Sequence, residues 1–154
     1  MPHIFVDADA CPVKREVYRV AQRHGLEVTV VANARIHVPS TPGLRLEIVG
    51  SAADAADDWI AAHVAAGDIV VSADVPLAAR CVDKGAVVVT PAGRLLDHRN
   101  AGEVLATRNL LADLRGAGEI TGGPPPFTDR DRSRFLQALD RAVNALVRGQ
   151  RPDK

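Results

Sequence analysis

Residues 4–33, IFVDADACPVKREVYRVAQRHGLEVTVVAN, decide the fold. The apolar run Ile4-Phe5-Val6 reads as a buried strand that ends on Asp7 and Asp9. A helix is expected next, with Pro12 in its first turn, Val13, Val17, Val20 and Ala21 on one stripe, and Gly25 as its stop. LEVTVVAN then forms a second strand. Strands that are apolar throughout, rather than alternating, and that are joined by helices belong to a parallel sheet covered on both faces.

The same rhythm continues. The loop ARIHVPSTPG leads to a third strand, LRLEIVG, and SAADAADDWIAAHVAAG reads as a helix, with Ser51 and Asp54 fitting a capping box and Gly67 as its end. DIVVSA is a strand, DVPLAARCVDKG a short helix with Asp74 at its N-cap, and AVVVTP another strand. Residues 1–92 thus form an α/β core. Residues 93–148 read as a helical extension, beginning with NAGEVLATRNLLADLRGAG and interrupted by a Gly/Pro loop at 116–127. The extension ends in an amphipathic helix with Phe135, Leu136, Leu139, Val143 and Leu146 on one side. The expectation for residues 1–154 is one three-layer α/β domain with a mostly parallel central sheet and a helical C-terminal extension.

A chain of 154 residues, 47% hydrophobic, can bury one real core. With 3% aromatic residues that core must be built from Val, Leu, Ile and Ala. The formal net charge is +0, which argues against a general nucleic-acid-coating protein. Residues 1–93 carry eight basic and eleven acidic side chains, and residues 94–154 eleven and eight, so the acidic part comes first. Two cysteines are too few for a disulfide framework. No basic-then-apolar leader opens the chain and no apolar run reaches the ~20 residues of a membrane span, so a cytoplasmic, reduced protein without membrane contact is expected.

Ligands of open parallel sheets bind beyond the carboxyl ends of the strands. Asp7 and Asp9 leave the first strand at that edge, and Asp74 leaves the strand IVVSA at the same edge. Asp54 and Asp57 share a helix face, and Asp57 is in line with Ile60, Ala61 and Val64, which places it at the rim of the core. Two carboxylates ~5 Å apart repel by roughly 3 kcal/mol at an effective dielectric of ~20, so such a cluster asks for a proton or a cation. Hard divalent ions prefer oxygen ligands, and activate water beside phosphate oxygens. The competing structural readings stay open here: Asp9, Asp54 and Asp74 each fit an N-cap, Asp58 a solvated face, and Asp68 a turn at the opposite edge.

The stretches VDADACP, ADDWI, GDIVVSADVPLA and TGGPPPFTDRDRSRF resemble those of the YaiI/YqxD family, uncharacterised bacterial proteins regarded as relatives of the PIN-domain nucleases. The resemblance runs from Ile4 to about Asp140 and implies a PIN-like fold. PIN nucleases hold Mg²⁺ or Mn²⁺ with an aspartate after the first strand, an acid on a helix and an aspartate after the fourth strand. Asp7, Asp57 and Asp74 are similar to these three, with Asp9 as a further ligand or support. Ser72 stands where such enzymes often keep a Ser or Thr. No fourth acid follows Asp74 closely, because Asp83 lies far down its helix. VDADA also resembles the nucleophile motif of haloacid-dehalogenase phosphatases, but Gly67-Asp68 precedes a strand here instead of following one, and Cys11-Pro12 replaces the usual Thr-Leu or Thr-Val.

Cys11 adjoins the acids at a helix start, where its thiol pKa would tend to fall, although a packing role competes. The five histidines have no shared spacing, so zinc is not expected. Arg108, Arg130, Arg132 and Arg134 could meet phosphates near the acidic edge, and Thr128 with Asp131 fits another capping box. Phe127 could stack on a base or pack in the core. The leading expectation is a Mg²⁺- or Mn²⁺-dependent nuclease acting on RNA or single-stranded nucleic acid, with Asp7, Asp57 and Asp74 catalytic. The alternatives are a non-catalytic RNA- or protein-binding module and a small phosphomonoesterase.

Overall fold

A computed structural model describes residues 2–9, 11–52, 54–103, 106 and 127–148. The elements are β1 (Ile4–Asp7), α1 (Lys14–His24), β2 (Val28–Ala32), β3 (Leu44–Ile48), α2 (Ala55–His63), β4 (Ile69–Val71), α3 (Val75–Asp83), β5 (Val87–Val89), β6 (Leu95–Leu96) and α4 (Asp129–Val147). They build one six-stranded sheet in the order β3-β2-β1-β4-β5-β6, parallel except for the antiparallel β5–β6 pair. The α/β expectation of a mostly parallel sheet with a C-terminal helix is met.

Strand periodicity sorts the core into two layers. Ile4 and Val6 of β1, Val28 and Val30 of β2, and Ile69 and Val71 of β4 lie on the face packed by Val13, Val17 and Val20 of α1 and by Phe135, Leu139 and Val143 of α4. Phe5, Val31, Val70 and Val88 point to the other face, where Ile60 and Val64 and then Leu77, Cys81 and Val82 cover them. Because β-strand side chains alternate, each strand feeds both layers, and its near-continuous apolar run follows from burial on both sides.

Two local expectations need correction. First, β6 lies in the stretch read as a helical extension. It is reached through a turn in which Gly93 N–H donates to the Thr90 carbonyl at 2.8 Å, with Gly93 at φ 91°. A Cβ at Gly93 would stand 2.6 Å from the Arg134 backbone, so only glycine lets α4 approach this turn. Second, α2 begins at Ala55, with Asp54 at the N-cap but no side-chain cap, so the Ser51–Asp54 box does not form. The helix expected at Asn100 opens at Ala101, after a turn in which Asp97 Oδ1 accepts from Arg99 N–H and Asn100 Oδ1 from Asp97 N–H.

Other expectations hold. Gly25 closes α1 in the left-handed region. Thr128 and Asp131 form a full capping box at the start of α4. Asp68 is a turn residue, accepting from His3 N–H and Ala65 N–H. Most of the segment 100–118, the Gly/Pro loop at 116–127 apart from Phe127, and Arg108 lie outside the described residues. Among the described residues, no helix is long and apolar enough to cross a membrane.

Candidate functional site

The chain runs from β1 outward to β2 and β3, and then returns to place β4 on the other side of β1. The carboxyl ends of β1 and β4 therefore flank the switch point of the sheet, where doubly wound folds bind ligands. Asp7 is the last residue of β1, and Ser72 directly follows β4, with Val6 paired to Val71 in register. Asp7 has the parity of Phe5, which turns it toward the α2/α3 layer.

Ser72, only 2% exposed, ties the two strand ends together. Its Oγ–H donates to Asp7 Oδ2 at 3.0 Å, and its Oγ accepts from Asp74 N–H at 3.0 Å. Asp74 is the N-cap of α3, its Oδ1 accepting from Leu77 N–H at 2.9 Å. The capping reading of Asp74 is thus correct, and the same bond fixes the carboxylate at the switch point. Asp57 is half-buried in the first turn of α2, flanked by the buried Ala56, Ile60 and Ala61.

The electrostatics show that the acids share a field. Burial pushes the Asp7 carboxyl above its ordinary range; the Ser72 hydroxyl and Asp9 N–H oppose the rise, while the Asp74 and Asp9 charges add to it. Asp57 is pushed up to about 6, first by burial, then by the charges of Asp74, Asp7 and Asp54, with Asp74 also in hydrogen-bond reach. Protonation of one member is the ordinary answer to like charges held together. Among the described residues, however, no group of three His, Cys, Asp or Glu has metal-holding geometry. Asp7, Asp57 and Asp74 share an edge and a field, without a ready-made cage of three ligands.

The Asp57 pKa is higher folded than unfolded, so the folded state binds the extra proton between pH ~4 and ~6 and loses stability as pH rises through that window. Asp57→Asn should therefore stabilise the metal-free protein at neutral pH by about 1 kcal/mol, after discounting the shift for the group's exposure. Thermal melts should show a gain of about 2–4 °C at neutral pH and almost none near pH 4. Equal gains at both pH values would contradict the assignment.

Asp9 is exposed and does not cap α1, which begins at Lys14 behind Val13 with no side-chain cap. Its side chain lines a small groove with Asn33 and Ile36 beside the ends of β1 and β2. Cys11 corrects a second expectation. Burial raises its thiol pKa, and the residue packs in the α1/α4 core instead of presenting a thiolate. Cys81 is likewise buried and pushed up to about 11. His63 stacks on Trp59 at 3.8 Å, and its Nδ1 is 2.7 Å from the Trp59 carbonyl oxygen.

The arginines divide. Arg132 donates to Glu16 Oε1 at 2.6 Å and to the Pro12 carbonyl at 3.0 Å, with its guanidinium 5.1 Å from the Phe127 ring centroid. It ties the start of α4 to the start of α1, so the half-buried Phe127 serves that junction. Arg130 and Arg134 are exposed on the same helix turns. Contacts to Pro12, beyond β1, and to Gly93, beyond β5, bring this end of α4 to the carboxyl edge of the sheet. Sequence reading missed Glu16, a buried carboxylate whose partner is 116 residues away.

The fold and this edge define a doubly wound α/β protein with an acidic switch point. Residues 5–145 match the family described as "Uncharacterized BCR, YaiI/YqxD family", and the chain belongs to it. It is 59% identical over 145 residues to a UPF0178 protein of Rhodopseudomonas palustris (strain HaA2), covering 94% of this chain and 88% of that one. A UPF0178 protein of Gluconacetobacter diazotrophicus is 57% identical over 151 residues, with 98% and 96% covered. No solved structure matches significantly.

Proposed function

We propose that the acidic edge is the hydrolytic centre of a Mg²⁺- or Mn²⁺-dependent nuclease acting on RNA or single-stranded nucleic acid. The observation that carries this reading is the Ser72 link between Asp7 and Asp74 at the switch point, together with Asp57 of the first α2 turn, which is pushed up to about 6 by burial and by the charges of those two acids. The site holds more negative charge than it neutralises, and its donors are all hard oxygens. Mg²⁺ commonly takes one or two carboxylates and completes its shell with water and phosphate oxygens, so the missing three-ligand group does not conflict with the fit. The PIN-like resemblance supports the same three residues.

Asp7 and Asp74 would hold the cation, Asp7 oriented by Ser72 and Asp74 by its cap to Leu77. Asp57 would give up its proton when positive charge enters the site. Asp9 supports Asp7 through its backbone N–H. When bound, the cation would neutralise phosphate charge and lower the pKa of an attacking water. The exposed Arg130 stands on the α4 turn at this edge, where it could contact the phosphate backbone.

Incubating end-labelled single-stranded RNA and DNA with the purified chain and Mn²⁺ tests the reading. Shortened products that vanish with a chelator are expected; no product on either strand, with or without metal, would contradict it. A non-catalytic RNA-binding module is the second reading, favoured by one observation. The next acid after Asp74, Asp83, is exposed at the far end of α3. Strand binding of equal strength with and without divalent ions, and no cleavage, would select that module. Phosphate release from a nucleotide, with longer strands untouched, would select a phosphomonoesterase.

A further inference from the structure

The outer edge of the sheet carries a second feature, unrelated to the acids. β3 is the terminal strand, five residues long, with the sequence Leu44-Arg45-Leu46-Glu47-Ile48. Its inner side bonds to β2 through odd-numbered residues: Val28 N–H donates to the Gly43 carbonyl and Val49 N–H to the Ala32 carbonyl. Alternation along a parallel ladder therefore turns the backbone groups of Leu44, Leu46 and Ile48 outward. The Leu44 N–H is taken by the Thr41 carbonyl, whereas the N–H and C=O of Leu46 and Ile48 face away from β2, the strand with which β3 pairs among the described residues. Exposed edges of this kind pair with other strands unless they are blunted.

The side chains of β3 are self-complementary about Leu46. In an antiparallel pairing centred there, Leu46 meets its own copy, Leu44 meets Ile48, and Arg45 meets Glu47 twice. The outward-facing Leu46 groups make that central pair a hydrogen-bonded one. Arg45 and Glu47 then fall at the non-hydrogen-bonded positions, where opposed side chains come closest. Both are exposed, and among the described residues neither has an ion-pair partner. Leu44 and Leu46 are half-buried against the α1/α4 core, and Ile48 is 41% exposed, one of two large hydrophobic side chains left open among the described residues. A two-fold axis normal to the sheet would extend that apolar strip from one copy into the next.

We propose that β3 is a homodimerisation edge, the partner being a second copy of this chain paired antiparallel about Leu46, so that two six-stranded sheets become one. Charge complementarity selects a second copy: one five-residue strand provides both members of each Arg–Glu pair. The proposal does not depend on the nuclease reading.

Sedimentation equilibrium across the micromolar range tests it. The wild-type chain should dimerise. Arg45→Glu should raise the dimer dissociation constant about tenfold or more, because two opposite pairs become two like-charged pairs. Arg45→Glu/Glu47→Arg should restore dimerisation, since the swapped strand is again complementary to itself. Hydrogen exchange at the Leu46 and Ile48 amides should slow with concentration in the wild type and in the double variant. A wild type that stays monomeric, an unchanged Arg45→Glu dimer, or a double variant no better than the single would overturn it.

Discussion

Asp7→Asn is expected to lower metal-dependent strand cleavage by on the order of a hundredfold or more while leaving the fold intact. Asparagine has the shape of aspartate and can still accept from Ser72 Oγ–H, so the link between the ends of β1 and β4 persists. What disappears is the negative charge at the switch point. Burial already disfavours that charge, and Asp74 and Asp9 add to the cost, so its removal should leave thermal stability unchanged or slightly higher. The Asp57 pKa should also fall toward the ordinary carboxylate value, since Asp7 is one of the charges that raise it. Rates measured beside a melting curve separate the two effects. Full activity in a folded variant would remove Asp7 from the mechanism.

Phe135→Ala should cost about 3–5 kcal/mol, the range for removing a fully buried aromatic side chain. Phe135 is 0% exposed and belongs to the layer shared by α1, α4 and the sheet. It forms one stripe with Leu139 and Val143, both 0% exposed, so the hole would open in the middle of the contact that docks α4. The Glu16–Arg132 pair sits at the same junction, and loosening α4 would leave a buried carboxylate without its cation. Chemical denaturation with an unchanged m-value gives the number. A loss below about 1 kcal/mol would mean that α4 is a dispensable appendage and not a wall of the core.

The alternation of elements was legible because strands buried on both faces leave apolar runs that helices then interrupt. The position of Asp7 at a strand end was legible for the same reason. The pairing order of the strands was not, because it rests on contacts between segments distant in sequence. β6 escaped although Pro91 and Gly93 mark a turn, since two residues are too few to show a period. The packing reading of Cys11 holds, and the helix-start reading of its thiol fails because α4 returns to cover α1 and burial outweighs any helix-start effect. Asp9 fits a cap only for a helix that opens at Pro12, two residues before α1 actually begins. Arg132 reads as a free cation until Glu16, on a distant helix, is seen beside it.

The proposed divalent-cation site of Asp7 and Asp74, with Asp57 beside them, is open to calorimetric titration of the chelator-treated protein with Mn²⁺, in the presence of a nucleoside monophosphate and beside Asp7→Asn/Asp74→Asn. Saturable binding of one ion, accompanied by proton release near pH 6 and lost in the double variant, is the predicted result. No binding in either protein, or equal binding in both, would contradict it.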